Sequence, residues 1–187
     1  MITSSTKLYT FPESFPMLET KRLRLRSLRP TDAAAILEMR GNSLVNRFIG
    51  RPEMQSQESA EELVSKTMEA FQERKGIAWA GELKSGNGII GTCGFNTLEP
   101  LNRRAEIGGE MHPSFWGKRF APEAFEAIVL YGFSSLGLHS IEAKVSPENK
   151  SAIALLKHLG FEQEALFKDR YFFAGRFYPM AVYVAFA

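Results

Sequence analysis

The feature that most narrows the fold is a change of period at Ile77. Two apolar runs, Ile77 to Leu83 and Ile89 to Phe95, flank Lys84-Ser85-Gly86-Asn87-Gly88. Short apolar runs on either side of a polar, glycine-rich turn predict an antiparallel hairpin. Leu98 to Arg103 reads as a loop. Arg104 to Met111 reads as a third strand, ending at His112-Pro113. Three adjoining strands at the centre, with helical patterns before and after, point to a central sheet.

The rest of the chain agrees with that frame. Lys21 to Leu28 alternates apolar with basic residues, the period of a half-buried strand. Its arginines are expected on the solvated face of an edge strand, not as a nucleic-acid patch. Thr31 or Asp32 can cap a short helix through Ala33–Met39, and Leu44 to Ile49 adds a turn. From Gln57 to Lys75, Leu63, Val64, Met68 and Phe71 share a helical face suited to the core. A helix from Pro122 to about Ser135 buries Phe125, Ile128, Val129 and Phe133. Ser140 to Val145 is a strand, and Asn149 to His158 an amphipathic helix stopped by Gly160. Phe161 to Phe173 and Tyr178 to Phe186 read as two closing strands. The expected fold class is α/β (α+β), a mixed sheet flanked by helices. One domain is expected over residues 18–187, with residues 1–17 a tail or extension.

Composition excludes several function classes. With 187 residues and 44% apolar content the chain can bury a full core. A net charge of +2 is too small to argue for nucleic acid. The single cysteine, Cys93, excludes an internal disulfide or a cysteine-rich zinc site, and three scattered histidines give no metal site. The start of the chain is polar and broken by Pro12 and Pro16, so no signal peptide is expected. Without an apolar run of the ~20 residues a membrane helix needs, the expectation is a cytoplasmic protein with no membrane partner.

Three stretches carry chemistry. His112-Pro113-Ser114-Phe115-Trp116-Gly117-Lys118-Arg119-Phe120-Ala121-Pro122-Glu123 is a loop feeding a helix. Pro122 and Glu123 suit a first helical turn, and exposed N–H groups there make an anion site. Gly117 is the loop's one glycine, and Arg119 stands where a second would help. Arg119 can donate its N–H without strain if its φ is negative, since only positive φ demands glycine. The strand entering this loop places Glu106, Gly108 and Glu110 on one face. Glycine there would open room for a ligand along the strand, although a solvated face with ordinary carboxylates is the plainer alternative. Finally, Asn149-Lys150-Ser151 opens a helix, with Asn149 suited to the N-cap.

Together these stretches resemble the GNAT superfamily of acetyl-CoA-dependent N-acetyltransferases, within it the RimJ/RimL-like branch. The matching segments are Glu19-Thr20-Lys21-Arg22-Leu23-Arg24-Leu25-Arg26, Gly94-Phe95-Asn96, Ala105-Glu106-Ile107-Gly108 and His112 to Lys118. Asn149-Lys150-Ser151-Ala152-Ile153, Leu155 and Leu159-Gly160-Phe161 follow in the family's order.

The resemblance implies a twisted, mostly antiparallel sheet whose central strands splay around acetyl-CoA. The pantetheine arm would pair near Met111. The pyrophosphate would sit on the cradle from Trp116 and Gly117 through Lys118, Arg119, Phe120 and Ala121, with Asn149 and Ser151 close by. Glu106 matches the position of a family base, and Glu110 is the second choice. An N–H near Met111 would serve the oxyanion. Leu156 and Ala152 replace the residues relatives use as the acid. The acceptor mouth would be lined by Arg47, Phe48, Tyr171, Phe173 and Tyr178, with Pro179 where some relatives carry Asp. The implied activity is acetyl transfer to a primary amine, first of all a protein or peptide N-terminal α-amine. A small-amine acetyltransferase, or a CoA-binding sensor with little catalysis, is the alternative. Neither a metal nor nucleic acid is implied, and a homodimer is compatible with the branch.

Overall fold

The computed structural model describes residues 8–86 and 88–187. Residues 1–7 of the expected tail and Asn87 of the expected turn lie outside the described residues. In chain order the elements are β1 (Leu18–Glu19), β2 (Leu23–Ser27), α1 (Ala33–Arg40), α2 (Ser43–Asn46), α3 (Gln57–Gln72), β3 (Ile77–Leu83) and β4 (Ile89–Glu99). There follow β5 (Arg104–Met111), α4 (Phe120–Tyr131), β6 (Ser140–Val145), α5 (Lys150–His158), β7 (Glu162–Phe173) and β8 (Arg176–Phe186). All strands join one 8-stranded sheet in the order β1-β2-β3-β4-β5-β6-β8-β7. β5 and β6 run parallel, and the other neighbouring pairs are antiparallel. This is the mixed, mostly antiparallel sheet with flanking helices that the sequence predicts.

Two apolar clusters hold the layers. The larger packs Phe120, Ala124 and Ile128 of α4 and Leu156 of α5 on Trp79, Phe95, Ile107 and Ile141 of the sheet. The smaller joins Ala33, Ile36 and Met39 of α1 to Ala60 and Val64 of α3 and Ala80 of β3. Of the α3 face expected in the core, Val64 and Phe71 are buried, whereas Met68 stays exposed. The stretch ahead of β1 is packed as well. Phe11 and Phe15 lie 5.2 and 5.0 Å from the Phe71 ring, and the Trp79 indole donates to Pro16 O at 2.6 Å.

The expected solvated edge is met only in part: Arg24 is exposed and Arg22 half-buried, but Arg26 is withdrawn from solvent. β2 lies between β1 and β3, and Arg26 is buried. Its guanidinium donates to both Asp32 oxygens at 2.8 and 2.9 Å and to Glu82 at 3.0 Å. Asp32 therefore serves as the partner of a buried cation, besides accepting from Arg29 N at 2.7 Å. A buried guanidinium needs such partners, because stripping its water without replacement is prohibitive.

Cys93 on β4 is buried, and burial pushes its thiol up to about 12. The thiolate is the reactive form, so the folded protein should not react with Ellman's reagent at pH 8. One thiol should titrate after denaturation; rapid stoichiometric reaction of the folded chain would contradict this.

Candidate active site

The site begins where a ladder stops. β5 pairs with β6 from Arg104↔Ser140 to Glu106↔Glu142 and no further. Beyond that point β5 keeps β4 as its partner, while Ala143 to Val145 pair with β8. A gap therefore opens between the two central strands. Its hinge coincides with a bulge. Phe95 faces Ile107 and Thr97 faces Glu106, leaving Asn96 as an extra residue in β4. Bulges increase local twist, which turns the end of β5 away from β6.

The bulge also corrects the expectation for Gly108. A Cβ there would lie 2.6 Å from Asn96 Nδ2, so the room the glycine makes is taken by the Asn96 amide. The neighbouring Gly109 is needed by the sheet itself, since its Cβ would lie 2.6 Å from Thr92 O. Further along, His112 N donates to Ile90 O at 2.9 Å. Antiparallel pairing alternates, so the backbone groups of Gly109 and Met111 turn away from β4 into the gap. Met111 O is already engaged, by the Trp116 indole N–H at 2.8 Å. Trp116 thus ties the loop to the strand end.

From Trp116 the loop curls into α4. Gly117 has φ 74° and Arg119 has φ 60°, so the condition for an unstrained Arg119, a negative φ, is not met. A left-handed conformation costs a non-glycine residue about 1–2 kcal/mol. Alternating left-handed residues make a concave turn whose N–H groups converge on an anion, and the first turn of α4 adds its own free N–H groups. Gly117, Lys118 and Arg119 are exposed, Phe120 is buried and Ala121 half-buried.

A bridge from the far end of the chain holds this loop. Glu123 accepts from Thr20 Oγ1 at 2.5 Å, Arg22 N at 2.6 Å and Arg22 Nε at 2.7 Å. Arg22 then donates Nη1 to Lys118 O at 2.9 Å and Nη2 to Arg119 O at 3.0 Å, and its guanidinium lies 4.3 Å from the Phe120 ring centroid. Burial would raise the Glu123 carboxyl, but the Thr20 and Arg22 hydrogen bonds and the Arg22 charge outweigh it and hold the group below the usual range. A depressed carboxylate stabilises the fold above its unfolded value and loses that contribution only as pH falls through the folded one. The bridge is therefore intact at neutral and mildly acid pH. Glu123 was legible only as a dipole partner; its real partners lie about a hundred residues away.

The two carboxylates on β5 have different surroundings. Glu106, at the last paired position, forms a 2.6 Å ion pair with Lys144 Nζ, which also reaches Glu142 at 3.3 Å. The hydrogen bond to Glu106 is the main cause of a raised Lys144 ammonium. Glu110 is buried between two cations: Arg40 Nε lies 2.5 Å from Oε1, and Arg51 Nη2 bonds Oε2. Arg51 Nε continues to Asn46 Oδ1 at 2.8 Å, and Asn46 Nδ2 to Arg40 O at 2.6 Å. Glu110 thereby fastens α1, α2 and the segment after them to the sheet.

That segment meets the last hairpin. Gly50 passes so close to Tyr171 that any side chain at that position would enter the ring. Tyr171 stacks on Tyr178 at 5.4 Å, and Arg176 lies 4.4 Å over Tyr178. Arg47 covers Phe48 at 5.1 Å, and Phe173 is half-buried opposite Arg176. The residues expected at an acceptor mouth thus belong to two adjoining segments. Asn149 caps α5, accepting from Ala152 N at 3.1 Å, and Ser151 is exposed on its first turn. Leu156 is buried in the larger cluster. Arg22, Asn96, Arg40, Arg51 and Lys144 escaped the sequence reading of the site. Only Arg22 and Asn96 carried a signal, through the segments Glu19–Arg26 and Gly94–Asn96.

Residues 22–162 match the family described as the acetyltransferase (GNAT) domain. The uncharacterized N-acetyltransferase YoaA of Bacillus subtilis is 39% identical over 169 residues, 90% of this chain and 96% of that protein. Among solved structures, RimL, the ribosomal L7/L12 alpha-N-protein acetyltransferase in complex with coenzyme A, superposes with a TM-score of 0.84 at 19% identity, covering 91% of this chain and 98% of the other. Spermidine N-acetyltransferase from Vibrio cholerae, in complex with CoA and spermine, gives 0.78 at 25% identity, covering 88% and 95%.

Glu110→Ala tests the fastening. It leaves two guanidinium groups facing each other without their anion. The expected loss is roughly 2 kcal/mol, below the ~3–5 kcal/mol of a fully buried pair, because Arg40 and Arg51 keep 26% and 22% exposure. Urea denaturation measures it, and an unchanged midpoint would refute the assignment.

Proposed function

This chain belongs to the GNAT acetyltransferase family, and on that premise we propose that its acceptor is a protein or peptide N-terminal α-amine. The chain is an acetyl-CoA-dependent N-acetyltransferase; the acceptor is the open question. The observation that carries the proposal is the state of the carboxylates beside the gap. Glu110 is shared by Arg40 and Arg51, and Glu106 and Glu142 by Lys144. A polyamine brings several positive charges and needs unpaired carboxylates to receive them. This mouth offers Arg47 and Arg176, and the Glu148 charge that reaches Tyr171 and Arg176 is set against the Arg176 guanidinium. Guanidinium donors suit the carbonyl groups that follow a peptide's first amine.

The donor's requirements fit the residues present. The cradle from Gly117 to Ala121 would take the pyrophosphate, and the gap-facing groups of Gly109, with the second lone pair of the Met111 carbonyl, would pair with the pantetheine arm. Acetyl-CoA supplies an activated thioester carbonyl. Glu106, at the hinge, is the base that takes the amine's proton through water. The Met111 N–H, turned into the gap, stabilises charge developing on the carbonyl oxygen. Leu156 and Ala152, at the two positions where the resemblance puts the acid, carry no proton to give. A site so equipped favours an amine that is already partly neutral. An α-amine with a pKa near ~8 is roughly a tenth neutral at pH 7, a lysine near ~10.4 under about a thousandth.

The test is release of free thiol from acetyl-CoA with a panel of short peptides, spermidine and a blocked lysine. Peptides with free α-amines should show kcat/KM at least about tenfold above spermidine, and a reversed order would overturn the proposal. Glu106→Gln should lower kcat about a hundredfold or more with little change in acetyl-CoA affinity; unchanged kcat removes it as the base. On the alkaline side the Lys144–Glu106 pair, with its raised ammonium, is lost as pH rises through the lysine's folded-state value, above its ordinary 10.5. The pH profile between about 6 and 9 should therefore follow the acceptor's α-amine, with a rise near ~8.

A further inference from the structure

Arg119 poses a question that the proposed donor site does not answer. It holds φ 60° at the entrance to α4, a conformation natural to glycine and strained for arginine. It has no covalent reason to stay there. Gly117, at φ 74°, makes the first left-handed step without strain, and nothing lies within 4 Å of where its Cβ would stand. The loop therefore needs an external hold at its second step and none at its first.

We propose that Arg22 is the positioning residue of the phosphate cradle: by taking the carbonyl oxygens of Lys118 and Arg119 it holds Arg119 in the left-handed conformation that aims the loop's N–H groups at the donor's pyrophosphate. The inference rests on the acetyl-CoA reading of this loop. Its geometry is specific to a guanidinium. Nε is fixed by Glu123 at 2.7 Å, which leaves Nη1 and Nη2 for the two successive carbonyls at 2.9 and 3.0 Å. Glu123 itself sits on α4, the helix that the loop enters, so bridge and cradle move as one body. Phe120, the first residue of that helix, backs the guanidinium plane at 4.3 Å. A carbonyl drawn toward Arg22 turns the N–H of the following residue the opposite way, because the two are antiparallel across one planar peptide unit. The units after Lys118 and Arg119 carry the N–H groups of Arg119 and Phe120, and these are thereby pointed away from Arg22. Lysine, a single ammonium on a flexible stem, can keep the charge pair with Glu123 but cannot hold two carbonyls in fixed directions.

The proposal makes Arg22 dispensable in one defined background. If its task is to hold a non-glycine residue left-handed, a glycine at position 119 takes over that task. The experiment is calorimetric titration of CoA into the wild type, Arg22→Lys, Arg119→Gly and the double variant. Thermal melts should show all four folded. Arg22→Lys should weaken CoA roughly tenfold, Arg119→Gly should bind at least as tightly as wild type, and the double variant should recover to within about twofold of Arg119→Gly. A second readout separates positioning from general damage. The ratio of kcat/KM for acetyl-CoA to that for S-acetylpantetheine, which lacks the pyrophosphate, should fall about tenfold in Arg22→Lys. Full affinity in Arg22→Lys, a loss that glycine at 119 does not repair, or an unchanged donor ratio would each overturn the role of Arg22. Failure of the wild type itself to bind CoA would overturn the donor reading and this proposal with it.

Discussion

The structure depends on one interruption, the end of the β5–β6 ladder at Glu106 and Glu142. Parallel strands that stayed paired would seal the sheet and leave no place for an extended donor. The interruption needs no flexible hinge. Asn96 adds one residue to β4 opposite the last shared pair, and the extra twist carries the end of β5 away. Five residues of β5 beyond Glu106 then keep only β4 as a partner, and alternate backbone groups face the gap.

A gap of this kind exposes polar backbone on both sides, so its walls must be held from elsewhere. Charge does much of that work. Glu110 fastens α1 and the loop after α2 through Arg40 and Arg51, which sets Gly50 against Tyr171 of the last hairpin. Glu123 and Arg22 brace the loop at the other end. Lys144 stands at the hinge with Glu106. Each pair links residues far apart in sequence, and most are partly shielded from water, where such pairs are stronger than exposed ones. The chain thus uses its arginines as struts around a single opening, consistent with its small net charge of +2.

Much of this was legible beforehand, and the part that was not has a common cause. Most strands, the hairpin before Ile89, the loop feeding α4 and the pair Glu106 and Glu110 follow from local period and turn chemistry; β1 does not, and β4 runs on to Glu99 through residues that read as the start of a loop. The family resemblance supplied the splay, which no single stretch encodes. What local pattern could not supply was pairing across distance. Arg26 looked solvated and is buried, because its partner Asp32 is read locally as a helix cap. Glu123 looked like a dipole partner and is the anchor of Arg22. Arg119 looked free to choose its φ, and its backbone is left-handed, between carbonyls that Arg22 engages from about a hundred residues away. Gly108 looked like room for a ligand and is room for Asn96, since a bulge is a property of two strands and not of one.

The central claim is that the β5–β6 gap and the loop before α4 form one continuous donor site. A crystal structure of the chain with CoA bound tests it most directly. The pantetheine arm should lie along β5 between Gly109 and Met111, with pyrophosphate oxygens within hydrogen-bonding distance of the N–H groups between Gly117 and Ala121. CoA bound outside the gap, or a gap closed by further β5–β6 pairing while the loop stands empty, would contradict it.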